Sequence, residues 1–297
     1  MARTTSLRLP SEPGRAAIRR APRWLVLLLH NPLSLAGGAI LLVLALAGAF
    51  APLLAPANPV AVHMTALLQP PSAAHWFGTD NLGRDLLSRT LYGARISLTI
   101  GFVVVLTSGA VGSMIGLVSG FFGGIVDLAL MRLADMFLAF PSLILAMALA
   151  AALGPSLTNA MVAIAITAWP GYARLIRSVT LSLKEQEFVA ATRAIGAGEG
   201  RILFRHVLPN TLSPLIVNAT MSLGTAILVA AGLSFIGFGA QPPTPEWGAM
   251  VAAGRNYVNS AWWVATIPGL AILLAVIGFS LLGDALRDIL DPRMRWP

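Results

Sequence analysis

The stretch EFVAATRAIGAGEGRILFRHVLPN, Glu187 to Asn210, carries two acids, four basic or imidazole side chains and three glycines between long uncharged segments. Its residue types suit recognition, not bond chemistry. The single lysine, Lys184, stands between Leu183 and Glu185, so the chain has no Gly-x-x-x-x-Gly-Lys-Ser/Thr loop for a nucleoside triphosphate. With no cysteine there is no thiolate nucleophile, thiolate metal site or disulfide. His30, His63, His75 and His206 are scattered without a ligand-like pair spacing. Asp80 and Asp85 in GTDNLGRD lack the alternating acids of a calcium loop. No catalytic residue and no metal ligand is therefore assigned.

The polar stretch reads as a helix over Glu187–Ile195, a glycine hinge at Gly196, and a second short helix over Glu199–Val207. Gly196 supplies a left-handed stop. The second helix begins with an acid and ends in Arg205 and His206, the order the helix dipole favours. Ala190, Ala191, Ala194 and Ala197 let another surface come close to the backbone. Resting on lipid headgroups is the alternative. The apolar content (Phe188, Val189 and Ile195) is small for a lipid anchor and favours a protein partner.

Three further sets have spacing that implies a role. Asp80, Arg84 and Asp85, with Arg89, can pair as ions and shape a loop between turns at Gly78 and Gly83. Gly112, Gly116, Gly120 and Gly124 recur every fourth residue, a small-xxx-small ridge that another helix can use, within this chain or from a partner. Thr211, Asn218, Ser222 and Thr225 share one helix face; they suit either a pathway for polar solutes or hydrogen bonding between helices. Pro170 and Pro214 are candidate bends. Trp247, Trp262 and Trp263 are expected at headgroup level.

The elements that must position these residues are membrane spans. The chain has 297 residues, 57% hydrophobic and only 11% charged, with mean hydropathy +0.78, whereas a soluble domain is about 25% charged. Six apolar segments are read: Trp24–Leu54, Ile96–Val126, Met136–Gly154, Ala160–Tyr172, Leu212–Gly239 and Trp263–Leu282. The fourth reaches Ser178 only if Arg174 and Arg177 snorkel to an interface. Four inter-span segments, all on one side, hold sixteen of the 20 Lys and Arg residues, so both termini are expected in the cytoplasm. The same distribution explains the net charge of +8 without nucleic acid. A cleaved signal peptide is the rival for the first segment, whose apolar run is longer than a signal peptide needs. The expected division is a basic tail over 1–23, a first span and outer segment over 24–94, a core over 95–284 with a cytoplasmic loop over 179–208, and a tail over 285–297. The longest inter-span segments leave no room for a soluble catalytic domain. A proton-driven carrier would need acids or histidines inside its spans. The stretches Met136–Ala173, Val207–Pro245 and Asn256–Gly283 contain none beyond their ends. Sodium coupling stays open, and a non-transporting scaffold or receptor is a further class.

The polar stretch resembles the cytoplasmic signature loop of binding-protein-dependent ABC importer permeases. Gly196, Leu208 and Pro209 stand at the expected spacing and Ala191 matches the middle alanine. Ala190 replaces the motif glutamate, Thr192 its third position and His206 its isoleucine. HWFGTDNLGRDLLSRTLYGARISL (His75–Leu98), GGIVDLALMRLADMFLAFPSLILA (Gly123–Ala146) and FRHVLPN (Phe204–Asn210) resemble the dipeptide/oligopeptide/nickel branch, and its C-type subunit in particular. The resemblance implies an all-α, polytopic protein of six transmembrane helices with the type I importer (MetI-like) permease fold, in the bacterial inner membrane. It implies a second related permease subunit, two cytoplasmic ATPases that use ATP and Mg, an extracytoplasmic delivery protein, and no cofactor or nucleic acid on this chain. Glu187, Phe188, Ala190, Ala191, Arg193, Ala194, Gly196 and Ala197 would form the coupling helix and its hinge, with Glu187 a substitute for the missing motif glutamate. The cargo would be a di- or oligopeptide, nickel or another small solute.

Overall fold

The computed structural model describes residues 31–290, so the basic tail, the start of the first apolar segment, His30 and residues 291–297 lie outside the described region. Among the described residues the fold is helical, with one isolated bridge between Thr79 and Asp85. Helix α1 (Pro32–Ala49) begins where Asn31 Oδ1 accepts the Leu33 N–H at 2.9 Å and Pro32 needs no donor partner. A short α2 (Ala51–Leu54) leads into an irregular segment. Helix α3 (Leu86–Phe122) is capped by Asp85, which accepts the Ser88 N–H at 2.8 Å, and stops at Gly123 with φ +67°. Gly124, also at positive φ, opens α4 (Gly124–Leu138), and α5 (Ser142–Leu153) follows at 88° across Pro141. Helix α6 (Leu157–Lys184) starts from a Ser156 cap. Then come α7 (Glu187–Ala194), α8 (Glu199–Ile202), α9 (Leu208–Ile236), α10 (Trp247–Gly254) and α11 (Trp263–Leu290).

Glycine contacts fix the helix directions. A methyl group at Gly112 would meet Trp169 and Tyr172, one at Gly116 would meet Ala173 and Arg177, and one at Gly120 would meet Arg177 and Thr180. Residue numbers rise together, so α3 and α6 run parallel, and the chain must return between them through α4 and α5. Gly224 against Val276 and Gly283 against Met221 set α11 antiparallel to α9; Gly37 against Leu281 and Gly278 against Leu41 set α1 antiparallel to α11. Gly101 packs on Ile227 and Leu223, which places α9 beside α3.

Several expected boundaries change. The segment Met136–Gly154 straddles the break at Ala139–Pro141, because proline disfavours a helical residue before it. The segment Ala160–Tyr172 is the middle of a 28-residue helix. Gly124 leaves the glycine ridge: α3 ends before it, and open space surrounds it. Helices α6 and α9 run through Pro170 and Pro214 as single helices. The irregularity falls at Leu203–Val207, a wide π turn that joins α8 to α9. Pro209 explains it, since it lacks an N–H and its ring crowds the preceding turn. Four described helical stretches are long and apolar enough to cross a membrane, five if the bent α4–α5 pair is one crossing. Helix α6 is long enough, but Asn159, Pro170, Gly171, Tyr172 and Arg174 dilute its hydropathy.

Candidate functional site

Helix α7 presents two different faces. Val189 is fully buried and Phe188 half-buried against a small core of Leu117 and Phe121 from α3, Ile176 from α6, and Ile202, Leu203 and Val207. Glu187, Ala190, Ala191, Arg193 and Ala194 are exposed, and Ile195 beyond them is 84% exposed. Gly196, at φ +81°, closes the helix: its N–H donates to Arg193 O at 3.0 Å and Ala197 N–H donates to Thr192 O at 3.3 Å. Phe188 and Ala197 pack inward, so the free surface is the alanine face with Glu187, Arg193 and Gly196. Arg193 clasps Glu199 with both ends of its guanidinium, at 3.0 and 3.1 Å, across the glycine. The pair is half exposed, so it bridges the elbow while adding little to stability. That clasp holds the Arg193 guanidinium above its ordinary pKa.

The hydroxyl and amide stripe on α9 separates into two environments. Asn218, Ser222 and Thr225 line a cavity of about 290 Å³ together with Ser108 of α3, Ser142 of α5, and Thr167, Gly171 and Tyr172 of α6. Thr211 stays outside it, fully buried and donating to Leu208 O at 2.8 Å. It lies near the α8–α9 turn, more than one helical turn from Asn218. Tyr172 was not assigned a role from the sequence; among aromatic side chains in an apolar helix, nothing in its spacing separates it from packing.

The cluster Asp80–Arg84–Asp85 is buried at the opposite end of α3 from the elbow. Asp80 Oδ1 accepts the N–H groups of Leu82 and Arg84 at 2.9 and 3.0 Å, and Oδ2 accepts Arg84 Nε at 2.7 Å with Arg89 Nε at 3.5 Å. Arg89 also donates to Pro59 O at 2.8 Å and Pro243 O at 3.3 Å, which ties the segment before α3 to the one before α10. Asp85 pairs with His75 at 3.0 Å besides capping α3. Trp263 Nε1 donates to Thr79 O and Trp247 Nε1 to Thr90 O. Trp247 and Trp263 are buried within the protein, with their N–H groups on close carbonyl partners, while Trp262 is exposed. Glu246 caps α10 by accepting Gly248 and Ala249 N–H, both at 2.8 Å, and burial pushes its carboxyl above the ordinary range.

One ion cluster was not anticipated. Arg177 grips both oxygens of Asp127 at 2.5 and 2.6 Å, Ser119 donates to the same carboxylate, and Arg174 reaches Asp135 at 3.1 Å. The two arginines are thus paired to α4. Asp127 and Arg177 lie 50 residues apart, and the bent return of α4 past α6 brings them together.

Comparisons with known proteins agree with this architecture. Residues 112–296 match the family of binding-protein-dependent transport system inner membrane components, and residues 24–71 match the N-terminal transmembrane domain of oligopeptide transport permease C. The chain is 51% identical over 263 residues to a probable D,D-dipeptide transport system permease protein of Escherichia coli, covering 89% of this chain and 88% of that one. It is 48% identical over 265 residues to a dipeptide transport system permease protein of Alkalihalophilus pseudofirmus, covering 89% and 87%. A chain of the methionine ABC transporter, solved in inward-facing conformations, superposes with TM-score 0.55 at 22% identity, over 67% of this chain and 95% of that one, and shares the fold. The chain belongs to the inner-membrane permease family of binding-protein-dependent transport systems.

Proposed function

We propose that this chain is one of two membrane-spanning halves of an ATP-driven importer that carries di- or oligopeptides across the bacterial cytoplasmic membrane. It crosses six times, with α6 and the bent α4–α5 pair as the two crossings that hydropathy alone does not count, and with both termini in the cytoplasm. The parallel course of α3 and α6 and the one-sided arginines support this topology. A second permease completes the pathway, two ATPases bind below and use ATP and Mg, and an extracytoplasmic protein delivers the peptide. Relatives named for dipeptides favour a peptide over nickel as cargo.

The observation that carries the reading is the exposed alanine face of α7. It sits between the end of α6 and the continuous α8–α9 segment, and its other face is locked into the core that joins α3, α6 and α9. A partner that grips this face moves α6 and α9, whose walls enclose the polar cavity; that is alternating access driven from outside the chain. The test is co-purification from native membranes. A P-loop ATPase and a second related permease are expected to accompany this chain. Purification alone, with uptake of dipeptide by liposomes holding only this chain and an ion gradient, overturns the reading.

A further inference from the structure

The cavity between α3, α6 and α9 contains a polar group that the fold itself leaves unused. Tyr172 is 3% exposed, and its hydroxyl lies beside Ser222 without a hydrogen bond of good geometry to any described residue. A hydroxyl so placed keeps hydrogen-bonding capacity for whatever enters the cavity, which a phenylalanine would not. Among the described residues single atoms of Asn81, Arg89, Ser113 and Thr180 share that condition, and the cavity beside Arg89 is only about 10 Å³, with room for a single water at most. Tyr172 instead borders about 290 Å³, close to the roughly 300 Å³ at which small-molecule pockets begin.

The ring is held where it is. A methyl at Gly112 would lie 2.7 Å from Tyr172 Cβ, and one at Gly109 would lie 3.6 Å from the ring, so two glycines of α3 make the space it fills. Ser222 of α9 faces the hydroxyl, with Asn218 and Thr225 on the same wall. No charged side chain lines the cavity. Neutral donors and acceptors match the amide groups of a peptide main chain, and they do not retain a charged side chain strongly. We propose that Tyr172 is a substrate-contacting residue, whose hydroxyl hydrogen-bonds main-chain amides of the peptide as it passes between α6 and α9. This inference rests on the peptide-importer reading above.

The test uses the full complex in proteoliposomes, with radiolabelled dialanine or tetraalanine presented by the delivery protein. Y172F keeps the ring and removes only the hydroxyl, so protein level should equal wild type. Maximal uptake should fall about three- to ten-fold, the worth of one hydrogen bond, with unchanged KM for the loaded delivery protein. Uptake by Y172F at the wild-type rate overturns the assignment. The chain lacks cysteine, so S222C provides a unique reporter within it. Peptide should slow modification of the S222C thiol by a small methanethiosulfonate during turnover, and Y172F should abolish that protection. Equal modification with and without peptide, in the protein that keeps Tyr172, also overturns the assignment and decides the matter should Y172F not accumulate. If the wild-type complex imports neither peptide, the peptide reading itself fails before Tyr172 is in question.

Discussion

Replacing Asp80 by asparagine separates two jobs that one carboxylate performs. The turn is made by Oδ1, which accepts the N–H groups of Leu82 and Arg84, and an asparagine oxygen can keep both bonds. The charge is used by Oδ2, 2.7 Å from Arg84 Nε and 3.5 Å from Arg89 Nε. All three side chains are buried, at 3–5% exposure. D80N therefore leaves two buried guanidiniums whose remaining contacts include the neutral carbonyls of Pro59 and Pro243. Removing one partner from a buried charge pair costs about 3–5 kcal/mol. If Asp80 served the turn alone, D80N would cost less than about 1 kcal/mol.

The assay is unfolding in mixed micelles by titration with sodium dodecyl sulfate, followed by tryptophan emission. Trp263 reports directly, because its indole N–H donates to Thr79 O beside the cluster. D80A should lose about 1–2 kcal/mol more than D80N, because the turn bonds go too. D80N combined with R84Q should depart from additivity by about 1–3 kcal/mol, since the two side chains touch. A D80N stability within about 1 kcal/mol of wild type would refute the view that buried charge holds this end of α3 together.

Two further predictions address the helix seam and the cap of α10. G116A should cost about 1–3 kcal/mol in the same titration, because the new methyl meets the backbone of Ala173 and Arg177, which no rotamer change can move, while G171A, with nothing within 4 Å, should be neutral or stabilising; equal effects of the two would rule out tight α3–α6 contact. Glu246 has its folded-state pKa raised by burial, so the folded form keeps its proton where the unfolded form has lost it, and its contribution to stability falls as pH rises from about 4 through the folded pKa. E246Q should flatten that slope while keeping one acceptor for the first N–H groups of α10; an unchanged slope between pH 4 and 7 would show that Glu246 does not titrate there.

What the sequence discloses is mostly local. Gly196 is legible as the end of α7 because a left-handed stop needs only the residue and its immediate neighbours. The same holds for the ion pairing of Asp80 with Arg84, four residues on. The bent pair α4–α5 is harder, because an apolar run through Pro141 looks continuous to any hydropathy window. The grip of Arg177 on Asp127 is illegible for another reason: nothing in a spacing of 50 residues announces contact until the return of α4 along α6 is known. Gly124 shows the converse error. Its spacing extends the ridge by one step, but the ridge is a property of a helix, and the pair of positive-φ glycines ends that helix first.

The two ends of α3 are built from different materials, and the difference has a mechanical meaning. At one end, buried ions and indole N–H groups bind the segments before α3, α10 and α11 into one piece, in which any sliding would strand a charge or a donor. At the other end, the elbow is attached through apolar contacts around Val189 and an exposed Arg193–Glu199 pair, which tolerate small rotations without leaving a buried group unpaired. On the coupling role proposed for α7, a rotation imposed on it would be resisted at the far end, and the displacement would fall between α6 and α9. The polar cavity lies there, with Tyr172 on one wall and Ser222 on the other. With the compliant joint at the exposed alanine face and the rigid joint at the opposite end, a partner that contacts only α7 would change the width of a cavity it never touches.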